Sequence, residues 1–199
     1  MTSASSSVVG VACGIFRTEI QSLRSAGRIG IPFRYLSSML HMAPDGLDRQ
    51  AQTLVAAERR HGNGVVLAYG DCSPHMLEIE ASPGVARTSG INCCEIMLGR
   101  RAYRELRSKG AFFIMPEWAL RWREIFESGL GLDGKNARAF MTDMHTGLLY
   151  LDTGLVPVPE AVLAEMADYC GLPWELLPLP LDHLLESLGK ASERIGHHD

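Results

Sequence analysis

Short apolar runs alternate along this chain with longer segments whose apolar residues recur every three or four positions. Val8–Ala12, Val65–Gly70, Ala111–Met115 and Gly147–Leu151 are unbroken apolar runs of strand length, the pattern of strands covered on both faces. Ile31–Leu36 and Ala86–Ile91 are weaker extended segments. Between them, Phe16, Ile20 and Leu23 fall at i, i+4 and i+7 and predict a helix ended by Gly27. Pro44–Asp45–Gly46 reads as a turn, and Leu47 to His61 as a helix stopped by Gly62–Asn63–Gly64. Further helices are predicted from about Glu95 to Ser108, over Glu117–Ser128 and over Val158–Tyr169, where Pro159 occupies the first turn. Ala137–Met144 fits helix or strand. Leu172–Leu188, with three prolines, reads as a short strand and a closing helix.

This β–α alternation predicts an α/β fold. The expected architecture is a single domain over residues 8–188, with a mostly parallel open sheet and helices on both faces, a Rossmann-like three-layer arrangement. Residues 1–7 read as a disordered lead and residues 189–199 as a flexible tail. The length of 199 residues suits one such domain.

Composition narrows the function. Hydrophobic residues make up 46% of the chain and charged residues 21%, enough for a core without disulfide staples. A net charge of −4 argues against generic nucleic-acid binding, which needs a basic stripe. No apolar run reaches the length of a membrane span. Met1–Ser7 lacks the charged and apolar regions of a secretory leader, so a cytoplasmic location is expected. Disulfides are rare there, and five cysteines is an odd number. The thiols are then structural, catalytic or metal-bound.

The usual short metal-ligand spacings are absent, so by spacing alone each cysteine reads as a small buried hydrophobe; their positions after strands point instead toward a site. Cys13 ends the first strand-like run, Cys72 closely follows the run Val65–Gly70, and Cys93 follows the weaker extended segment Ala86–Ile91. In a parallel sheet these carboxyl ends share the rim where ligands bind. Thiolates and imidazole are ligands for zinc, and three thiolates can hold a [4Fe-4S] cluster with one iron open. His41 follows an apolar run before a proline turn, and His75 lies close to Cys72, so either can act as ligand or general base. Cys94 reads as a bystander beside Cys93, and Cys170, at a helix end, as structural. Asp143 and His145 are weaker metal candidates, and Asp152 at a strand end is read first as a cap.

The segments Val11–Ala12–Cys13–Gly14, Leu40–His41–Met42–Ala43–Pro44, Tyr69–Gly70–Asp71–Cys72, Asn92–Cys93 with Leu98–Gly99, Pro116–Glu117–Trp118 and Asp152–Thr153–Gly154 occur in that order. Their order and spacing resemble the bacterial and archaeal family catalogued as domain of unknown function 1638, over roughly residues 8–188. The resemblance implies Cys13, His41, Cys72 and Cys93 as the site, with Trp118 and Asp152 secondary. It favours Cys93 over Cys94 by its distance to Gly99. It also implies an association with corrinoid-dependent methyl transfer. Three departures stand out: Asn92 where the family has Asp, Ser73–Pro74 in place of Gly–Asn, and Glu117 in place of Gly.

Two functions are therefore expected as alternatives. One is a metalloprotein with zinc or an iron–sulfur cluster on Cys13, Cys72, Cys93 and His41, with His41 or His75 as acid or base, transferring methyl or sulfur groups on a small molecule. The other is a non-catalytic accessory protein that binds a corrinoid or a methyltransferase partner through an apolar patch near Trp118 and Trp122. Neither reading involves nucleic acid or membrane.

Overall fold

A computed structural model describes residues 7–196. The first and last segments of the expected lead and tail, residues 1–6 and 197–199, lie outside the described residues. The fold is α/β, with parallel strands throughout. The strands are shared between two sheets in place of the one open sheet expected. The chain gathers into two compact units, Met1–Met97 with Leu181–Asp199, and Leu98–Pro180.

The first unit holds β1 (Val8–Cys13), β2 (Phe33–Leu36), β3 (Gly64–Ala68) and β4 (Val85–Arg87) in the order β2-β1-β3-β4. Helices α1 (Arg17–Ser25), α2 (Pro44–Arg60) and α3 (Met76–Glu80) connect successive strands. Helix α4 (Cys93–Leu98) follows β4. The expected turn at Pro44 is the first turn of α2, because proline at the start of a helix gives up only an N–H that has no partner there.

The two-residue period of a strand decides what each face buries. Val65, Leu67 and Tyr69 share one face with Val11, and Leu47, Ala51 and Val55 of α2 and Met76 and Ile79 of α3 pack on it. Gly64 faces the other way, where Ile195 leaves no room for a side chain. That face is covered by α9 (Asp182–Gly196), which packs on β3 and β4. The expected flexible tail is thus helical as far as Gly196. Leu184, Leu188, Ala191 and Ile195 continue one buried stripe through it, and this stripe outweighs the polar residues between them.

The second unit holds β5 (Ala111–Ile114), β6 (Gly147–Asp152) and β7 (Trp174–Pro178), parallel and in that order. Around them lie α5 (Arg100–Ser108), α6 (Pro116–Ala119), α7 (Gly134–Met144) and α8 (Glu160–Cys170). The helix expected over Glu95–Ser108 is two helices, because Gly99 between α4 and α5 takes a left-handed φ of 76°. The one expected over Glu117–Ser128 is divided into α6 and a π-helical stretch, Glu124–Gly129. Trp122, Phe126 and Tyr169 stack edge to face there, with ring centroids 5.0–6.4 Å apart.

Leu67 is wholly buried and Leu77 is 64% exposed. Leu67→Ala should therefore cost about 2–5 kcal/mol of unfolding free energy. Leu77→Ala should change it by less than about 0.5 kcal/mol. Urea denaturation of the two variants checks the contrast.

Candidate functional site

Strand order sets the site. From β1 the chain moves outward to β2 on one side, then returns past β1 to β3 and β4 on the other. The β1/β3 boundary is therefore a topological switch point, the position outside whose carboxyl ends open α/β sheets bind ligands. The pairing Val11↔Leu67 and Ala12↔Ala68 brings the next residues, Cys13 and Tyr69, side by side at that boundary. Both lie on the α2–α3 face: Tyr69 belongs to the buried cluster there, and Cys13 and Cys72 pack against it.

Two glycines draw the loops together. A side chain on Gly70 would lie 2.5–2.6 Å from the backbone of Ile91 and Asn92, and the Asp71 N–H donates to the Ile91 carbonyl at 2.8 Å. The loop carrying Cys72 thus rests directly on the loop that delivers Cys93. Across the crevice, a side chain on Gly14 would lie 2.9 Å from the Leu36 carbonyl, so the turn after Cys13 rests on the segment leading to His41. Asn92 then starts α4 by accepting from the Glu95 N–H at 2.9 Å. Asn and Asp cap equally well, so Asn92 fills this role without a carboxylate.

Cys72 is pushed up to about 11, first by burial and then by the charge of Cys93. Cys93 is raised as well, by its contact with the Cys94 thiol and by burial; the two sulfurs are 3.9 Å apart. Tyr69, 1% exposed, has its phenol raised by burial, then by Cys13 and Cys72. Among the described residues its hydroxyl meets no hydrogen-bond partner. Cys13 and Cys72 thus act on this hydroxyl, and Cys93 acts in turn on Cys72. Among the described residues, no three His, Cys, Asp or Glu side chains stand at metal-binding separation.

His41 lies on the same rim, in the short helical turn Ser38–Met42 after β2. It is exposed, yet nearby protein desolvates it enough to lower its pKa. Its neighbour Leu40 packs on the same cluster as Cys13 and Cys72. His75 is exposed, with Nδ1 3.9 Å from Asp48 Oδ2. The Ser73 hydroxyl donates to the other oxygen of Asp48. Ser73, a departure from the family pattern, thus anchors the Cys72 loop to α2.

Asp48 was not legible as a site residue, although it is only 8% exposed. The signal is its spacing: it stands three residues before Ala51 and seven before Val55, on the helix side those residues bury. Arg87 is the second residue missed. At 8% exposed, it holds Asp71 at 2.7 Å and Glu80 at 2.9 Å, tying the residue before Cys72 to the end of β4.

The remaining candidates have structural surroundings. Cys170 is fully buried in α8 and pushed up to about 11 by that burial. Asp152 accepts from the Gly154 N–H at 2.9 Å, a turn-closing contact. The His145 ring packs edge-on against Phe112 at 5.1 Å, and Asp143 is exposed on α7. Trp118 is half-buried and Trp122 only 4% exposed, so Trp122 adds almost nothing to the surface patch expected around the two.

These features define a parallel α/β protein with a thiol-lined rim at the switch point of its first sheet. A family model described as protein of unknown function (DUF1638) matches residues 35–188, and the chain belongs to that family. His41, Cys72 and Cys93 lie within the match, and Cys13 precedes it. No curated protein and no solved structure matches the chain. Among the described residues no helix is long and apolar enough to cross a membrane.

Gly70→Ala should destabilise the protein by about 1–3 kcal/mol, because the methyl group meets backbone rather than a movable side chain. Gly30→Ala, with open space around it, is the control and should be near neutral in the same denaturation series. In metal-free protein, Cys72 should alkylate slowly at neutral pH and accelerate toward pH 11, whereas an ordinary thiol is half-ionised near about 8.5. Peptide mass mapping after iodoacetamide treatment checks this.

Proposed function

We propose that this protein binds a metal centre, zinc or an iron–sulfur cluster, through Cys13, Cys72 and Cys93, with His41 as the fourth ligand or as a base. The observation that supports the reading is that Cys13 and Cys72 pack against one buried cluster at the carboxyl ends of β1 and β3, while Cys93, at the start of α4, acts on Cys72. Raised thiol pKa values weigh against the main competitor, a metal-free nucleophilic cysteine, which needs a lowered one. A soft cation removes that obstacle, because it displaces the proton and neutralises the repulsion between thiolates. In donor type, Cys and His suit zinc, which takes them at about 2.0–2.3 Å, and three cysteines suit a cluster; among the described residues no three such side chains stand at that separation, so the reading requires them to close on the ion.

Binding couples to side-chain rotation, since the ligands must close on a shared ion. Cys13 is the last residue of β1 and Cys93 the first of α4, and the proposal requires both side chains to turn toward a shared ion. His75, oriented by Asp48, is the nearer acid–base group to Cys72 in sequence. A centre with an open coordination position supplies Lewis acidity toward soft donors such as thiols and sulfide, which suits methyl or sulfur transfer on a small molecule.

Anaerobically purified protein should contain stoichiometric zinc, or iron and sulfide with broad visible absorption. Cys93→Ser should lose the metal, while Cys170→Ser keeps it. Metal analysis with an absorption spectrum decides. No metal in any of these proteins would overturn the proposal.

A further inference from the structure

Cys94 has no part in the proposed ligand set, yet its sulfur lies 3.9 Å from that of Cys93. Successive side chains on a helix point about 100° apart, so helical geometry alone does not bring adjacent thiols together. At the start of α4 the two sulfurs are turned toward one another and touch. Both thiols are free and half-buried, each with part of its surface open to a small reagent. The turn that holds them is closely built. Asn92 accepts from the Glu95 N–H at 2.9 Å, and the Glu95 carboxylate accepts from the Ile91 N–H at 3.3 Å. The Ile91 carbonyl accepts in turn from the Asp71 N–H at 2.8 Å, so the pair stands on the turn that supports the Cys72 loop.

We infer that Cys93 and Cys94 form a redox modification site, closing to a vicinal disulfide by exchange with a low-molecular-weight disulfide. The inference concerns the metal-free protein and does not rest on the metal reading. The thiolate of one cysteine attacks the small disulfide, whose S–S bond breaks; one small thiol leaves and a mixed disulfide forms. The neighbouring thiolate then attacks the protein sulfur of that mixed disulfide and releases the second small thiol. Two protein S–H bonds give way to one S–S bond, and the reagent is reduced to two thiols that carry the two protons. The second attack is intramolecular, between groups already adjacent, so it outruns a second encounter with the reagent. The raised pKa of Cys93 slows the exchange without forbidding it, because a less acidic thiol gives the more nucleophilic thiolate.

Geometry makes the product reversible. A disulfide holds its sulfurs about 2.0 Å apart and usually spans Cα atoms about 4.4–6.8 Å apart. Adjacent Cα atoms are only about 3.8 Å apart, so the ring is strained, and strained disulfides are the reducible, regulatory kind. Closure draws together two side chains that the helix splays, and a helix of 6 residues is too short to resist. The first turn of α4 then opens, and the bonds that Asn92 and Glu95 make across it are released.

The test treats reduced, metal-free protein with oxidised glutathione at mildly alkaline pH, alkylates it with iodoacetamide and digests it with trypsin. The peptide Thr88–Arg100 contains Cys93 and Cys94 and no other cysteine. It should be unalkylated, free of glutathione and lighter by two hydrogens, and dithiothreitol should restore two alkylatable thiols. Cys94→Ser should instead retain glutathione on Cys93, because the resolving thiol is gone. Hydrogen exchange at the Glu95 and Ile96 amides should be roughly tenfold faster or more in the oxidised wild type than in the reduced. Two alkylated thiols after treatment, or glutathione retained on the wild-type peptide, would overturn the inference. So would a disulfide from either cysteine to Cys13 or Cys72. Unchanged exchange in protein that carries the vicinal disulfide would overturn the opening of α4. These readings use wild-type protein and hold whether or not the variant folds.

Discussion

The rim of the first sheet depends on the pairing of β1 with β3. Parallel register along Val8–Ala12 and Gly64–Ala68 sets Cys13 beside Tyr69, and the outward departure of β2 and β4 opens the space between them. Sliding β1 by one residue would turn Val11 to the opposite face, and sliding β3 would turn Leu67 and Tyr69. The core on the α2–α3 side and the placement of the thiols would then be lost together. Core packing therefore specifies the register, and the register specifies the site.

The same burial that secures the register keeps the thiols protonated. Burial and then the charge of Cys93 favour the neutral form of Cys72, and the Cys94 thiol together with burial favours that of Cys93. Arg87 offsets this only in part, because its charge is already shared between Asp71 and Glu80. Thiols held neutral in this way suit the proposed ligand set better than a free thiolate nucleophile, which needs a lowered pKa. The acidic side of the network does positional work: Asp48 holds Ser73, and Asp71 is tethered by Arg87, so Cys72 sits between two fixed neighbours.

Much of this was legible in the sequence. Unbroken apolar runs ending at or near Cys13 and Cys72 implied parallel strands with thiols at one edge, and β1 and β3 stand where those runs predicted. The division into two sheets was hidden, because the apolar runs before and after Gly99 look alike and strand order leaves no trace in periodicity. The closing helix was underestimated because its buried stripe from Leu184 to Ile195 is diluted by Glu, Ser, Lys and Arg. Asp48 and Arg87 were missed for a shared reason. Each is a charged residue in a segment otherwise read for its apolar positions, and only the fold reveals that the charge points inward. Tyr69 was visible as strand core, but its orphaned hydroxyl belongs to three-dimensional structure alone.

The central claim is that strand-end sulfurs share a metal. X-ray absorption at the metal edge of the purified protein tests it most directly. The account predicts a first shell dominated by sulfur at about 2.3 Å, reduced in sulfur count when Cys13 or Cys72 is replaced by serine. A first shell of nitrogen and oxygen alone, or one unchanged by those replacements, would contradict it.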